Sequence, residues 1–151
     1  MTQRNQGYRG GPARTQSSFV PPTEAEINQV IADGDPELLV KIADRVGHEL
    51  ADQRLTTSQI RNVFGTARQI QMRWPTDETR AYREAVLLRP KLAYFAEREK
   101  RASRGMETLQ QVLDPALKLI TEDGKPSQKR YGHFVDLFEA IVAYHKRYGG
   151  K

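Results

Sequence analysis

The stretch HFVDLFEAIVAYHKRYGG, residues 133–150, decides the fold class. With Tyr131 in front of it, Tyr131, Phe134, Val135, Phe138, Ile141, Val142 and His145 fall on one face at helical spacing. A stripe of that kind marks a helix with one buried side. Asp136 and Glu139 fall outside the stripe, and Gly149-Gly150 ends it. His145 continues the apolar face and reads as a packed or interface histidine rather than a ligand.

Working towards the N-terminus, the same periodicity repeats. Met106, Leu109, Leu113, Leu117 and Ile120 form a stripe interrupted by Pro115, which predicts a break or kink near Asp114, with that aspartate as a new N-cap. Glu122 to Pro126 reads as a turn. Asp77 opens a helix through Tyr82, Val86 and Leu87; Pro90 predicts its break or kink, followed by a segment through Leu92, Tyr94 and Phe95. The polar run Glu97 to Gly105 reads as a flexible loop or frayed helix end. Thr56 to Ser58 cap a helix with Ile60, Val63, Phe64, Ala67 and Ile70 inward, closed at Trp74-Pro75. Asp35-Pro36 opens another, with Leu39, Ile42, Ala43, Val46 and Leu50 as its stripe. Thr23 with Glu26 is a capping box for a short first helix ending at Gly34. No stretch alternates with period two. The expectation is an all-α, compact bundle of six or seven short helices over residues 23–151, preceded by a disordered, basic, Gly/Arg-rich arm over residues 1–22.

The 151 residues suit a single domain, with 24 Lys and Arg against 19 Asp and Glu. The absence of cysteine excludes disulfides, a thiol nucleophile and thiolate zinc sites. No apolar run is long enough to span a bilayer and no signal-peptide core is present, so a cytoplasmic location is expected. The net charge of +5 is unevenly divided. The arm holds three arginines and no acid; residues 23–53 hold two bases and eight acids; residues 54–104 hold twelve bases and five acids; residues 105–151 are close to neutral. An acidic block beside a basic one predicts a polarised surface.

Catalysis needs a converging nucleophile, base and orienter. His48, His133 and His145 lack a zinc-ligand spacing, and no phosphate-binding glycine loop is present. Asp136 and Glu139, three apart, could hold a metal or move protons, or simply form a solvated face. No enzymatic activity, cofactor or metal is expected.

Anion binding is better supported. Arg61 and Arg68 are two helical turns apart with Gly65 between them, and Arg54 lies just before that helix. Glycine costs a helix about 1 kcal/mol relative to alanine. Its presence admits two reasons: close approach of a phosphodiester backbone between two guanidinium groups, or close helix packing or a bend. Lys91, Tyr94, Arg98 and Arg101 share a face if their segment stays helical; they read either as a nucleic-acid contact with a stacking ring, or as solvated bases beside a core tyrosine. Lys125, Lys129 and Arg130 cluster at the start of the last helix, where cations oppose the macrodipole. The arm's spaced arginines and glycines read as an RNA contact or as an inert tail.

The segments TSQIRNVFGTARQI (57–70), LLRPKLAYFAER (87–98) and HFVDLFEAIVAYHKRYGG (133–150) resemble the small helical subunit of type III-A CRISPR effector complexes, the Csm small-subunit family. The resemblance covers residues 36–150 and leaves the arm outside. It implies a non-catalytic structural subunit of an antiviral ribonucleoprotein. Copies would stack along the complex, contact its backbone and large subunits, and support guide RNA and target RNA; it also allows a homodimer of the isolated protein. Arg61, Arg68, Lys91 and Arg98 match the family's basic helical positions. The competing readings are a stand-alone helical DNA-binding or regulatory protein, and, least supported, an enzyme with a carboxylate-bound metal.

Overall fold

A computed structural model describes residues 19–151. The expected disordered arm falls outside the described residues except for its last four. Within these, Phe19 packs on the core and the Val20 carbonyl accepts from Arg45 Nε at 3.1 Å.

Among the described residues there are six helices: α1 (Glu24–Ile31), α2 (Pro36–Asp52), α3 (Thr57–Arg73), α4 (Glu78–Glu99), α5 (Gly105–Leu117) and α6 (Gln128–Arg147). The caps arise where the sequence places them. Thr23 with Glu26, and Thr56 with Gln59, form reciprocal capping boxes on α1 and α3. Asp35 accepts from the Glu37 and Leu38 amides at the start of α2, with Pro36 beside it. The Leu38 amide, and next the Gln29 side chain, hold the Asp35 carboxyl below the usual carboxylate range. No described helix is long and apolar enough to cross a membrane.

At neither proline does the expected break or kink take the form of a break. α4 runs unbroken through Pro90, and α5 through Pro115. Each proline deprives a carbonyl one turn back of its amide partner, at a cost of about 3 kcal/mol in a helix interior. Two features offset that cost. The buried row Ala81, Ala85, Leu88, Leu92, Ala96 continues across Pro90, whose ring faces solvent. The residues preceding the two prolines are also tied together: Arg89 reaches both oxygens of Asp114, at 2.8 and 3.4 Å. Asp114 is therefore a bridge from α5 to α4 and not a helix cap.

The polar run after α4 is a short turn rather than a free loop. Ser103 donates to the Gln53 carbonyl at 2.8 Å, and Thr108 to the Gln53 side chain at 2.7 Å, pinning it to the end of α2. The turn before α6 is a two-residue antiparallel ladder, Thr121–Glu122 with Lys125–Pro126. Asp123 and Gly124 both take positive φ, 54° and 75°, the conformation an Asp-Gly hairpin turn demands.

The core lies around α6. Tyr131, Phe134, Val135, Phe138, Ile141 and His145 are buried, joined by Leu137; Val142 is only partly covered. Trp74 stacks on Tyr131 at 5.0 Å, and Phe134 and Phe64 meet Phe138 edge-on. The buried polar tips are satisfied: the Tyr131 hydroxyl donates to the Ala67 carbonyl at 2.8 Å, and His145 Nε2 lies 2.6 Å from the Leu55 carbonyl. Burial, reinforced by Glu84, raises the Tyr131 phenol well above its ordinary pKa. α2 makes the most extensive contact with α6, and α4 packs mainly on α5 with α3 on its other flank.

Candidate nucleic-acid interface

α3 and α4 form an antiparallel hairpin whose register is fixed at both ends. Gln59 donates to Glu99 at 3.1 Å, and Arg73 pairs with Glu84. Arg61 is thus level with Glu97, Gly65 with Ala93, and Arg68 with Pro90. α3 buries Ile60, Val63, Ala67 and Ile70 and exposes Arg61, Asn62, Arg68, Gln69 and Met72. The helical step of 100° puts Asn62 and Gln69 between the two arginines and α4.

On α4 the exposed row reads Arg83, Leu87, Lys91, Tyr94, Arg98. Tyr94 is 61% exposed, which removes the reading in which it packs in the core. Arg98 lies over the Tyr94 and Phe95 rings, 5.6 and 5.0 Å from their centroids, and pairs with Glu99 at 3.0 Å. It is a held guanidinium with part of its charge answered. Arg61, Arg68, Arg83 and Lys91 have no carboxylate ion pair among the described residues. The result is two basic rows, Arg61/Arg68 and Lys91/Arg98, on neighbouring helices whose axes lie about 10 Å apart. Gly65, Asn62 and Gln69 make a neutral strip between them.

A Cβ built on Gly65 would meet nothing within 4 Å. Close helix packing among the described residues is therefore not the reason for this glycine. Gly47 gives the contrast: its Cβ would lie 2.6 Å from Tyr144 Cβ and 2.8 Å from the His145 amide nitrogen, where α2 crosses α6.

The remaining basic residues are placed differently. Arg101 lies in the turn beyond α4, exposed but off the helical row. Lys125 is exposed on the hairpin and Lys129 on the first turn of α6. The bond from Tyr131 to Ala67 sets that turn beside the C-terminal half of α3. Arg130 is half-buried, and its Nη1 donates to the Leu119 and Thr121 carbonyls at 3.3 and 2.8 Å, which fastens α6 to the end of α5. Arg54 sits at the α2–α3 corner, lining a cavity of about 520 Å³ with Leu55, Thr56, Gly149 and Lys151.

Arg54 has φ +65°, a left-handed conformation that favours glycine. It occupies the position after α2 where helices commonly end in glycine: its amide donates to Ala51, and the Leu55 amide to Leu50. Stability is thus not what an arginine supplies here. Arg54→Gly is expected to raise stability by about 1 kcal/mol and to raise Tm by about 2–4 °C. Thermal unfolding of the variant beside the parent checks the sign.

Asp136 and Glu139 are exposed on α6, and no group of three His, Asp or Glu able to hold a metal occurs among the described residues. Arg83, Asn62 and Met72 were not singled out in the sequence. Arg83 is legible eight residues before Lys91 on one helical face only when the helix is continuous across Pro90, where a break or kink is expected.

An all-helical bundle with a basic, ion-pair-poor hairpin face is a candidate polyanion-binding module. The family model for Csm2 Type III-A matches residues 33–151. The chain belongs to that family, the small subunits of the multi-subunit type III-A CRISPR complexes. No curated protein and no solved structure matches the chain.

Proposed function

We propose that the chain is a non-catalytic structural subunit that holds RNA backbone on the outer face of the α3–α4 hairpin. The observation that carries this is the pair Arg61 and Arg68, exposed, without ion pairs, and flanking an open Gly65. Guanidinium groups at that spacing suit two phosphates of one strand, with glycine permitting close approach between them. Lys91 and Arg98 offer a second row, and Tyr94 a ring on which an unpaired base can stack. Arg54 extends the α3 row past the helix start, Lys129 and Lys125 lie beyond its other half, and Arg101 lies past the end of α4. Arg130 contributes mainly by holding α6. Guide pairing carries sequence specificity in CRISPR effectors, so backbone contacts without base reading are sufficient.

In the same reading, guide RNA and target RNA are the nucleic-acid partners. Copies of the chain stack along the complex against the backbone and large subunits. The acidic residues of α1 and α2 and the basic hairpin are two different faces, as head-to-tail stacking requires. The test of the RNA contact is a titration of single-stranded RNA at several salt concentrations with Arg61→Glu/Arg68→Glu. Weaker binding with a shallower salt dependence is expected; unchanged affinity and slope would remove α3 from the interface. The absence of catalysis is tested separately. Asp136→Asn/Glu139→Gln should leave target cleavage by the assembled complex unchanged, and a loss with assembly preserved would restore an enzymatic reading.

A further inference from the structure

A second face, on the α2–α6 side, is left unused by RNA binding. Tyr148, just past α6, is 42% exposed; its hydroxyl donates to Asp44 at 2.5 Å, which holds the phenol above its ordinary pKa. Its ring meets His48 edge-on at 4.4 Å and stacks with Tyr144 at 6.4 Å. Lys41, Asp44, Arg45, His48 and Tyr148 line a groove of about 350 Å³. One turn further along α2, Asp52 lies 4.0 Å from His48 Nε2. Of the two cations that line the groove, Arg45 is answered by Glu26 at 3.4 Å, which leaves Lys41 on its wall and Arg147, which acts on the Tyr148 phenol, at its edge. Exposed aromatic faces beside carboxylates suit a guanidinium.

An independent observation supplies the occupant. Arg45, one wall of the groove, also holds the Val20 carbonyl, while Phe19 is packed on the core. The 18 residues outside the described structure therefore join the bundle at the edge of this groove. They contain Arg4, Arg9 and Arg14 and no acidic residue. Arg14 is five residues from Phe19, a reach of about 17 Å. Asp44 and Asp52 are separated along α2 by about 12 Å. The segment also lies outside the family match, which begins at residue 33.

We propose that residues 1–18 dock in the free protein on the groove that Asp44, His48 and Tyr148 line, on the same chain, with Arg14 over Tyr148 and beside Asp44 and an earlier arginine of the segment towards Asp52. Exposed ion pairs are individually weak, so the dock is reversible and salt-sensitive. It keeps the arm's arginines on the α2–α6 side of the molecule, away from the basic hairpin, until a stronger polyanion draws them off.

The chain has no cysteine, so Gly11→Cys provides a single thiol for a nitroxide label on the full-length protein. Amide signals of Lys41, Asp44, His48, Asp52 and Tyr148 are expected to lose most of their intensity, while those of Arg61, Arg68 and Lys91 keep theirs. The loss should disappear with Arg9→Gln/Arg14→Gln, with Asp44→Asn/Asp52→Asn, and in 1 M salt, where the screening length is about 3 Å. Broadening centred on the α3–α4 hairpin, or broadening that survives neutralisation of the arginines, would overturn the proposal. So would broadening that appears only between a labelled and an isotope-enriched copy, because the occupant would then be another chain.

Discussion

Valine at Gly47 is expected to cost about 3 kcal/mol or more, at the upper end of what overpacking a core costs. The atoms a side chain would meet are a neighbouring Cβ and the backbone of Tyr144 and His145, not the movable end of a side chain. α2 and α6 would have to part, and theirs is the most extensive helix contact among the described residues. A domain of ordinary stability, about 5–15 kcal/mol, loses a large share of its margin to such a change. Gly65→Ala is the matched opposite. Its Cβ enters open space, so the helix gains the propensity difference of about 1 kcal/mol. Denaturant unfolding of the two variants should shift in opposite directions. If Gly65 is there for a phosphodiester backbone, Gly65→Ala should also bind RNA more weakly while folding better.

The second large effect falls on binding. For single strands, each phosphate contact contributes about 0.7 to the logarithmic salt slope, hence roughly a five-fold gain in affinity at 0.1 M salt. Losing both arginine contacts removes about 1.4 from the slope and lowers affinity roughly 25-fold. Charge reversal adds repulsion, so that figure is a lower bound for Arg61→Glu/Arg68→Glu. Both side chains are exposed and lack ion pairs, so the fold should be unaffected; circular dichroism and Tm should match the parent.

Much of the fold was legible because helix signals are local. The capping boxes at Thr23 and Thr56, the Asp35-Pro36 start, and the stripe from Tyr131 to His145 each lie within a few residues of chain. What was misread depended on contacts far apart in sequence. Pro90 and Pro115 predict a break or kink, and that neither helix breaks is understood only once Arg89 is known to face Asp114 from another helix. The 97–105 run looks loose until Gln53 is known to receive Ser103 and Thr108. The hairpin at Asp123-Gly124 is too short for alternation to register.

The candidate interface divides the same way. Spacing alone gave Arg61, Gly65 and Arg68 one face. It could not choose between close helix packing and open space at Gly65, or between core and surface for Tyr94. Both answers come from neighbours on other elements. Arg130 was grouped with Lys125 and Lys129 because sequence proximity cannot reveal the two carbonyls that take its donors.

If a particular face, and not excess charge, holds RNA, two variants of equal net charge should bind differently. Arg61→Glu/Arg68→Glu and Lys146→Glu/Arg147→Glu each change the net charge from +5 to +1, the second pair at the exposed end of α6. The most direct measurement is the salt slope of single-stranded RNA binding for both variants beside the parent. A slope reduced by about 1.4 is expected for the α3 pair and one little changed for the α6 pair. Equal losses in the two variants, or none in the first, would contradict binding by that face.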